Sequence, residues 1–145
     1  LRIIGDTVNR GVDSACMPRS GFWRGGLTYS SMANGFFQSP CAFGALAALC
    51  EVQRLCYTVP SSALYGCRPW GFIHDEILCE GPIEQASEAA EELSRVMVAQ
   101  FNVYTPDVHT GAEPAIFWQW SKGTDPARDS TGRLVCSDPE NNPNL

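Results

Sequence analysis

The segment from Phe36 to Tyr57 constrains this chain more than any other feature. Ala42, Ala45, Leu46, Leu49, Val52 and Leu55 recur through it, and its polar residues are few: Gln38, Glu51, Gln53 and Arg54. Alanine and leucine are strong helix formers, so the stretch predicts one long helix, with Ser39-Pro40 placed to start it. A helix that is apolar nearly all round is buried or covered by other protein. Enough apolar material is present to build around it, since 44% of the 145 residues are hydrophobic and 18% charged. That balance excludes a disordered or collagen-like chain. No run of about 18 apolar residues marks a membrane span. No charged leader precedes an apolar run either, so no signal peptide is expected.

A second helix is predicted over residues 83–104. Ala86, Ala89, Ala90, Leu93, Val96, Met97 and Phe101 share one face at helical spacing. Glu84, Glu88, Glu91, Glu92 and Arg95 line the other as a solvated acidic surface, with Glu91 and Arg95 set four apart for an ion pair. Pro106 stops the helix. Between the two helices lie a loop over 58–69 and two short apolar strands, Trp70 to Ile73 and Ile77 to Cys79. Residues 1–35, rich in Gly, Arg and Ser, predict loop and short strand. Glu113 to Trp120 reads as an aromatic strand, and residues 124–145 as an extended polar tail. The expected class is α+β: a small antiparallel sheet with a β-hairpin, packed by two long helices. It divides into an N-terminal segment (1–35), a core (36–123) and the tail (124–145).

The net charge of −6 is unevenly spread. Residues 1–73 carry six Arg and three acids (+3); residues 74–145 carry three Arg, one Lys and thirteen acids (−9). The balance argues against a free-standing cationic DNA binder, yet the first half leaves one face that could meet phosphates. Seven cysteines without a CxxC pair predict no zinc site. They read as reduced, small core residues of a cytoplasmic protein.

The sharpest local feature is His74-Asp75-Glu76, which separates the two short strands. Charged groups between apolar flanks cost desolvation unless they are paired or bind a cation. A hard cation such as Mg²⁺ takes oxygen ligands and often uses one or two carboxylates plus substrate phosphates. The same triplet also suits a plain exposed turn, where Asp is a natural residue.

Five ordered blocks resemble family A DNA polymerases of phage and bacterial type. Phe72-Ile73-His74-Asp75-Glu76-Ile77-Leu78 resembles the last palm motif. Arg19 to Gly26 with Thr28-Tyr29 is similar to the Arg-Gly-Gly and Thr-Tyr segment of phage members. Asn34-Gly35-Phe36-Phe37-Gln38 resembles the Asn-x-x-x-Gln motif, followed by the same long helix. Leu64 to Pro69 precedes the His-Asp-Glu turn as in relatives, and Lys122-Gly123 with Asp129 to Val135 resembles the C-terminal tail. The resemblance spans roughly residues 19–137.

It implies nucleotidyl transfer by two metal ions, the logic of in-line displacement. Asp75 would be one of two metal-binding aspartates on Mg²⁺, with Glu76 assisting. His74 would contact the primer-terminal backbone. Asn34 and Gln38 would lie along the minor groove, where amides reach acceptors common to every base pair. Arg24 would meet a backbone phosphate. The partners implied are primer-template DNA, a dNTP and an upstream palm and fingers segment, with no membrane, in a bacterial or phage-infected cytoplasm. The fragment alone is expected to be inactive.

The sequence departs from the family pattern in three ways. Nothing resembles the motif that carries the other metal-binding aspartate. Nothing resembles the fingers helix. The positions after Gln38, usually Gly and then Ala-Asp, read Ser39-Pro40-Cys41-Ala42-Phe43-Gly44. These departures leave open a non-catalytic, degenerate nucleic-acid-binding or interaction remnant of the same fold. A hydrolase using His74, Asp75, Glu76 and His109 is a third reading, although nothing in the sequence ties His109 to the turn.

Overall fold

The structure, a computed structural model, describes residues 14–121 and 125–143. Lys122-Gly123 lies outside them, as do Arg2 and Arg10 of the basic half. The described residues form a small α+β domain with two helices and three separate two-stranded antiparallel sheets. In chain order these are β1 (Ala15–Cys16), β2 (Trp23–Arg24), α1 (Tyr29–Thr58), β3 (Arg68–Ile73), β4 (Glu76–Glu80), α2 (Ala86–Tyr104), β5 (Ala127–Arg128) and β6 (Leu134–Val135). Strands pair only with their chain neighbours, β1 with β2, β3 with β4 and β5 with β6. The single small sheet expected from the sequence is thus three ribbons.

The long helix begins at Tyr29 rather than near Ser39-Pro40. Thr28 explains the difference. Its hydroxyl accepts from the Ser31 N–H (3.3 Å), while Ser31 Oγ accepts from the Thr28 N–H (2.8 Å). This reciprocal pair is a capping box, and it satisfies two donors that a helix start leaves orphaned. Pro40 consequently sits inside the helix, buried, where it removes one i→i−4 hydrogen bond. At the far end the Gly66 N–H reaches back to the Cys56 carbonyl (3.0 Å), closing the turn that leads to β3.

Helix α1 is the hub. Ala48, Val52, Leu55 and Cys56 from its second half pack with Leu64, Cys67, Ile77 of β4 and Ala89 of α2. Met32 from its first half packs with Ala15 and Met17. The two long helices pack tightly at Gly44: a Cβ built there would lie 3.2 Å from the Phe101 Cα. By length and composition alone α1 would suffice to cross a membrane; 33% of that window is buried, and its two packed clusters are those of a core helix.

Two further expectations change. The acidic face of α2 is not simply solvated, because the β5–β6 ribbon docks on it. Arg128 pairs with Glu91 (2.7 Å), Arg133 pairs with Glu88 (3.0 Å), and Leu134 is buried. Glu91 is therefore taken, and Arg95 pairs with Glu92 instead (3.3 Å). Residues 125–143 are accordingly more than an extended tail. Glu113 to Trp120 forms no strand. Ile116 makes an isolated bridge to Cys136, and the Asp138 carboxylate takes the N–H groups of Trp118 (2.7 Å) and Gln119 (2.9 Å) in place of a neighbouring strand.

Candidate functional site

Strands β3 and β4 pair from Arg68↔Glu80 to Ile73↔Glu76, with an irregularity between Pro69 and Gly71. This register leaves a two-residue turn, His74-Asp75, at the tip. The turn is tight enough to require left-handed backbone at its first position, and His74 takes it at φ 57. A non-glycine residue there is uncommon. Behind the tip, Ile77 and Leu78 are buried and anchor β4. The polar triplet occupies the exposed end of the hairpin, beyond that anchor.

His74, Asp75 and Glu76 are all exposed. None of their side chains makes a hydrogen bond or ion pair among the described residues. The desolvation argument from the sequence therefore does not apply: the carboxylates stand in water, and no buried charge demands a cation. As donors, the two carboxylates still suit a hard divalent ion. Among the described residues, no three of His, Cys, Asp and Glu are grouped so as to hold a metal. Asp75 and Glu76 thus make at most part of a metal site, and His109 is not gathered to them.

The hairpin root is held from α2. Glu92 Oε2 accepts from the Ser62 hydroxyl (2.9 Å) and the Ala63 N–H (2.6 Å). The Gln85 side-chain amide donates to the Tyr65 carbonyl (3.0 Å). Residues 62–65 lie just before β3, so these contacts tie the approach to the hairpin to α2 and the turn before it. The sequence placed Glu92 on a solvent face, and no local pattern distinguishes it from Glu88 or Glu91.

A second group gathers at the first half of α1. Asn34 and Gln38 are four apart, which stacks them on one helix face, and both are exposed. Asn34 is interior to the helix and so does not cap it. Half-buried Arg24 of β2 packs against the same turn of α1: its Nη1 lies 3.1 Å from where a Gly35 Cβ would be, which only a glycine permits without a shift. Among the described residues Arg24 has no carboxylate partner, whereas Arg19 pairs with Asp107 (3.5 Å). The structure therefore places Asn34 and Gln38 on one face of α1 with Arg24 packed against the helix at Gly35, and His74, Asp75 and Glu76 together at the hairpin tip. The hairpin packs with the second half of α1, and no hydrogen bond or ion pair among the described residues links the two groups.

Phe43, the departure from the family pattern, is a packing residue. Its ring centroid lies 5.9 Å from Phe22 and 6.3 Å from Tyr104, joining the β1–β2 loop to the end of α2. The thiols split by location. Cys16, Cys41 and Cys50 are exposed, contrary to the expectation of core cysteines. Burial pushes the Cys56 thiol up to about 11 and Cys79 to about 12, which keeps both protonated and poor nucleophiles. A shallow groove of about 540 Å³ between α2 and the β5–β6 ribbon holds none of the predicted site residues. No protein-family model, characterised protein or solved structure matches this chain.

Proposed function

We propose that this chain is the C-terminal palm part of a family A DNA polymerase, carrying one half of a template-directed nucleotidyl-transfer site. The observation that carries the reading is the hairpin tip. A strained two-residue turn holds His74 and Asp75, with Glu76 beside them, exposed and free of internal partners. An exposed carboxylate on a braced turn is what a shared metal site asks of one of its contributors. Mg²⁺, when bound, would activate the primer 3′-hydroxyl and stabilise the leaving pyrophosphate. Asp75 would be its ligand from this chain, with Glu76 alongside. His74 would hold the primer-terminal backbone. Asn34 and Gln38 would reach minor-groove acceptors, and Arg24 a phosphate. A second aspartate and the dNTP-binding fingers would come from an upstream palm and fingers segment, placing the activity in a bacterial or phage-infected cytoplasm.

The test uses primer extension. The 145-residue chain with Mg²⁺ should add no nucleotide; extension by it would defeat the partial-site reading. In a chain that also carries the upstream segment, Asp75→Ala should abolish extension with folding intact. Unchanged extension there would remove Asp75 from the metal.

Phe43 favours a second reading, a non-catalytic remnant that binds nucleic acid. Its ring stack replaces an acidic position with structural packing. Salt-sensitive binding of primer-template by a chain restored with the upstream segment, without extension, would select this reading.

A further inference from the structure

We infer that the β5–β6 ribbon is a salt-sensitive strap. It undocks from α2 by itself, with both helices and the β3–β4 hairpin left folded, and ionic strength sets the balance between docked and undocked forms. The inference goes beyond the polymerase reading and uses none of its site residues. The base of the ribbon is pinned. The Ser137 N–H donates to the Ile116 carbonyl (2.8 Å) and the Ser137 hydroxyl to the Asp125 carbonyl (2.8 Å), while Asp138 holds the N–H groups of Trp118 and Gln119. From that base the chain runs out and back through two residue pairs, Ala127↔Val135 and Arg128↔Leu134. The far end closes on itself. Asp129 Oδ1 accepts from the N–H (2.8 Å) and hydroxyl (2.6 Å) of Thr131 and from the Arg133 N–H (3.1 Å), and Gly132 turns the chain at φ 85.

Little fastens this unit to α2. Leu134 is the one buried residue between 127 and 135, and it belongs to neither of the packed clusters built on α1. The other ties are the two ion pairs, Arg128 with Glu91 and Arg133 with Glu88, whose four side chains are 44–57% exposed. Pairs that open to water are individually weak and are screened by salt. Two of them shift a docking equilibrium by about fivefold in all. Local opening falls where buried apolar contacts are few, which is the case for this ribbon. The β3–β4 hairpin makes the contrast: its Ile77 lies inside the cluster shared by both helices, so it opens only with the core. Undocking also unmakes the β5–β6 ladder, since a lone two-stranded ribbon is marginally stable in water at best. Docked, the ribbon walls the groove on the side facing Ser87, Glu88 and Glu91; undocked, it uncovers them.

The experiment is hydrogen exchange of the 145-residue chain, read by mass spectrometry on peptides covering 127–135, α2 and the β3–β4 hairpin. Sodium chloride is raised from about 0.01 M to about 1 M, which shortens the Debye length from about 30 Å to about 3 Å. Exchange over 127–135 should speed up about fivefold, while α2 and the hairpin keep their protection. Glu88→Gln combined with Glu91→Gln should exchange about fivefold faster than wild type there at low salt, and lose the salt response. Leu134→Ala should bring the ribbon close to the exchange rate of an unstructured peptide, with the helical circular dichroism unchanged. Ribbon exchange that ignores salt would overturn the inference. So would an equal acceleration in α2 and the hairpin, the mark of global opening, or a full salt response in the double Gln variant. Loss of α1 and α2 protection in Leu134→Ala would make Leu134 part of the common core and overturn it too.

Discussion

Two glycines on α1 should respond in opposite senses to the same substitution. Replacing an interior helical glycine by alanine gains about 1 kcal/mol of intrinsic helix preference. At Gly44 that gain meets a rigid obstacle. The new methyl would lie 3.1 Å from Phe101 Cδ1 and 3.2 Å from the Phe101 Cα, and a backbone atom cannot swing aside. The helices must part, at an overpacking cost of about 1–3 kcal/mol. Gly44→Ala is therefore expected to lose about 1 kcal/mol net. At Gly35 the obstacles are the flexible ends of Arg24 (Nη1, 3.1 Å) and Met17 (Sδ, 3.1 Å). Met17 is 1% exposed but its long side chain is flexible, so shifting it costs about 0.5 kcal/mol, the low end for an off-rotamer side chain. Gly35→Ala should gain about 0.5 kcal/mol net. The pair should then differ by about 1.5 kcal/mol, or roughly 3–6 °C in Tm for a chain of this size. Urea and thermal unfolding of both variants measure it directly. A Gly44→Ala protein as stable as Gly35→Ala would show that Gly44 is not where the helices meet.

Glu92→Ala should destabilise the chain by about 2 kcal/mol in urea unfolding, because it strands the Ser62 hydroxyl and the Ala63 N–H that share its carboxylate. Glu92→Gln should recover part of the loss; equal stability of the Ala and Gln variants would contradict the clasp. Asp138 predicts an acid-sensitive end of the fold. Partial desolvation opposes its ionisation, but N–H bonds from Trp118 and Gln119, with further bonds from Asn141 and Cys136, outweigh that and hold its carboxyl well below its ordinary 3.8. A depressed folded pKa stabilises above the unfolded value and loses that contribution as pH falls through the folded one. Near-ultraviolet signals of Trp118 and Trp120 should therefore change as pH drops below about 4, and Asp138→Asn should lack that acid transition. An identical transition in the variant would place its origin elsewhere.

Residue types fixed several elements in advance. The α2 face, its stop at Pro106 and the hairpin around His74-Asp75-Glu76 all follow from spacing, because amphipathic period and tight turns are local properties. The presence of α1 was equally legible from its alanines and leucines. Its start was not, since Thr28 and Ser31 cap it by a mutual hydrogen bond that outcompetes the Pro40 signal. The candidate site residues were also legible as positions. Their tertiary setting was not: Arg24 packs against α1 only because Gly35 leaves room for it.

The sequence by itself determined where helices and the turn form, since hydrogen-bond partners and side-chain periods lie within a few residues. Only the tertiary structure decided what covers each face. Glu88 and Glu91 could not be read as docking points for Arg133 and Arg128, because the pairs are far apart in the chain. Glu92 could not be separated from its acidic neighbours until Ser62 and Ala63 were brought to it. The run from Glu113 to Trp120 satisfies strand chemistry locally, yet Asp138 claims its N–H groups before another strand can. Long-range contacts depend on which distant groups arrive first in space, and no local pattern encodes that choice.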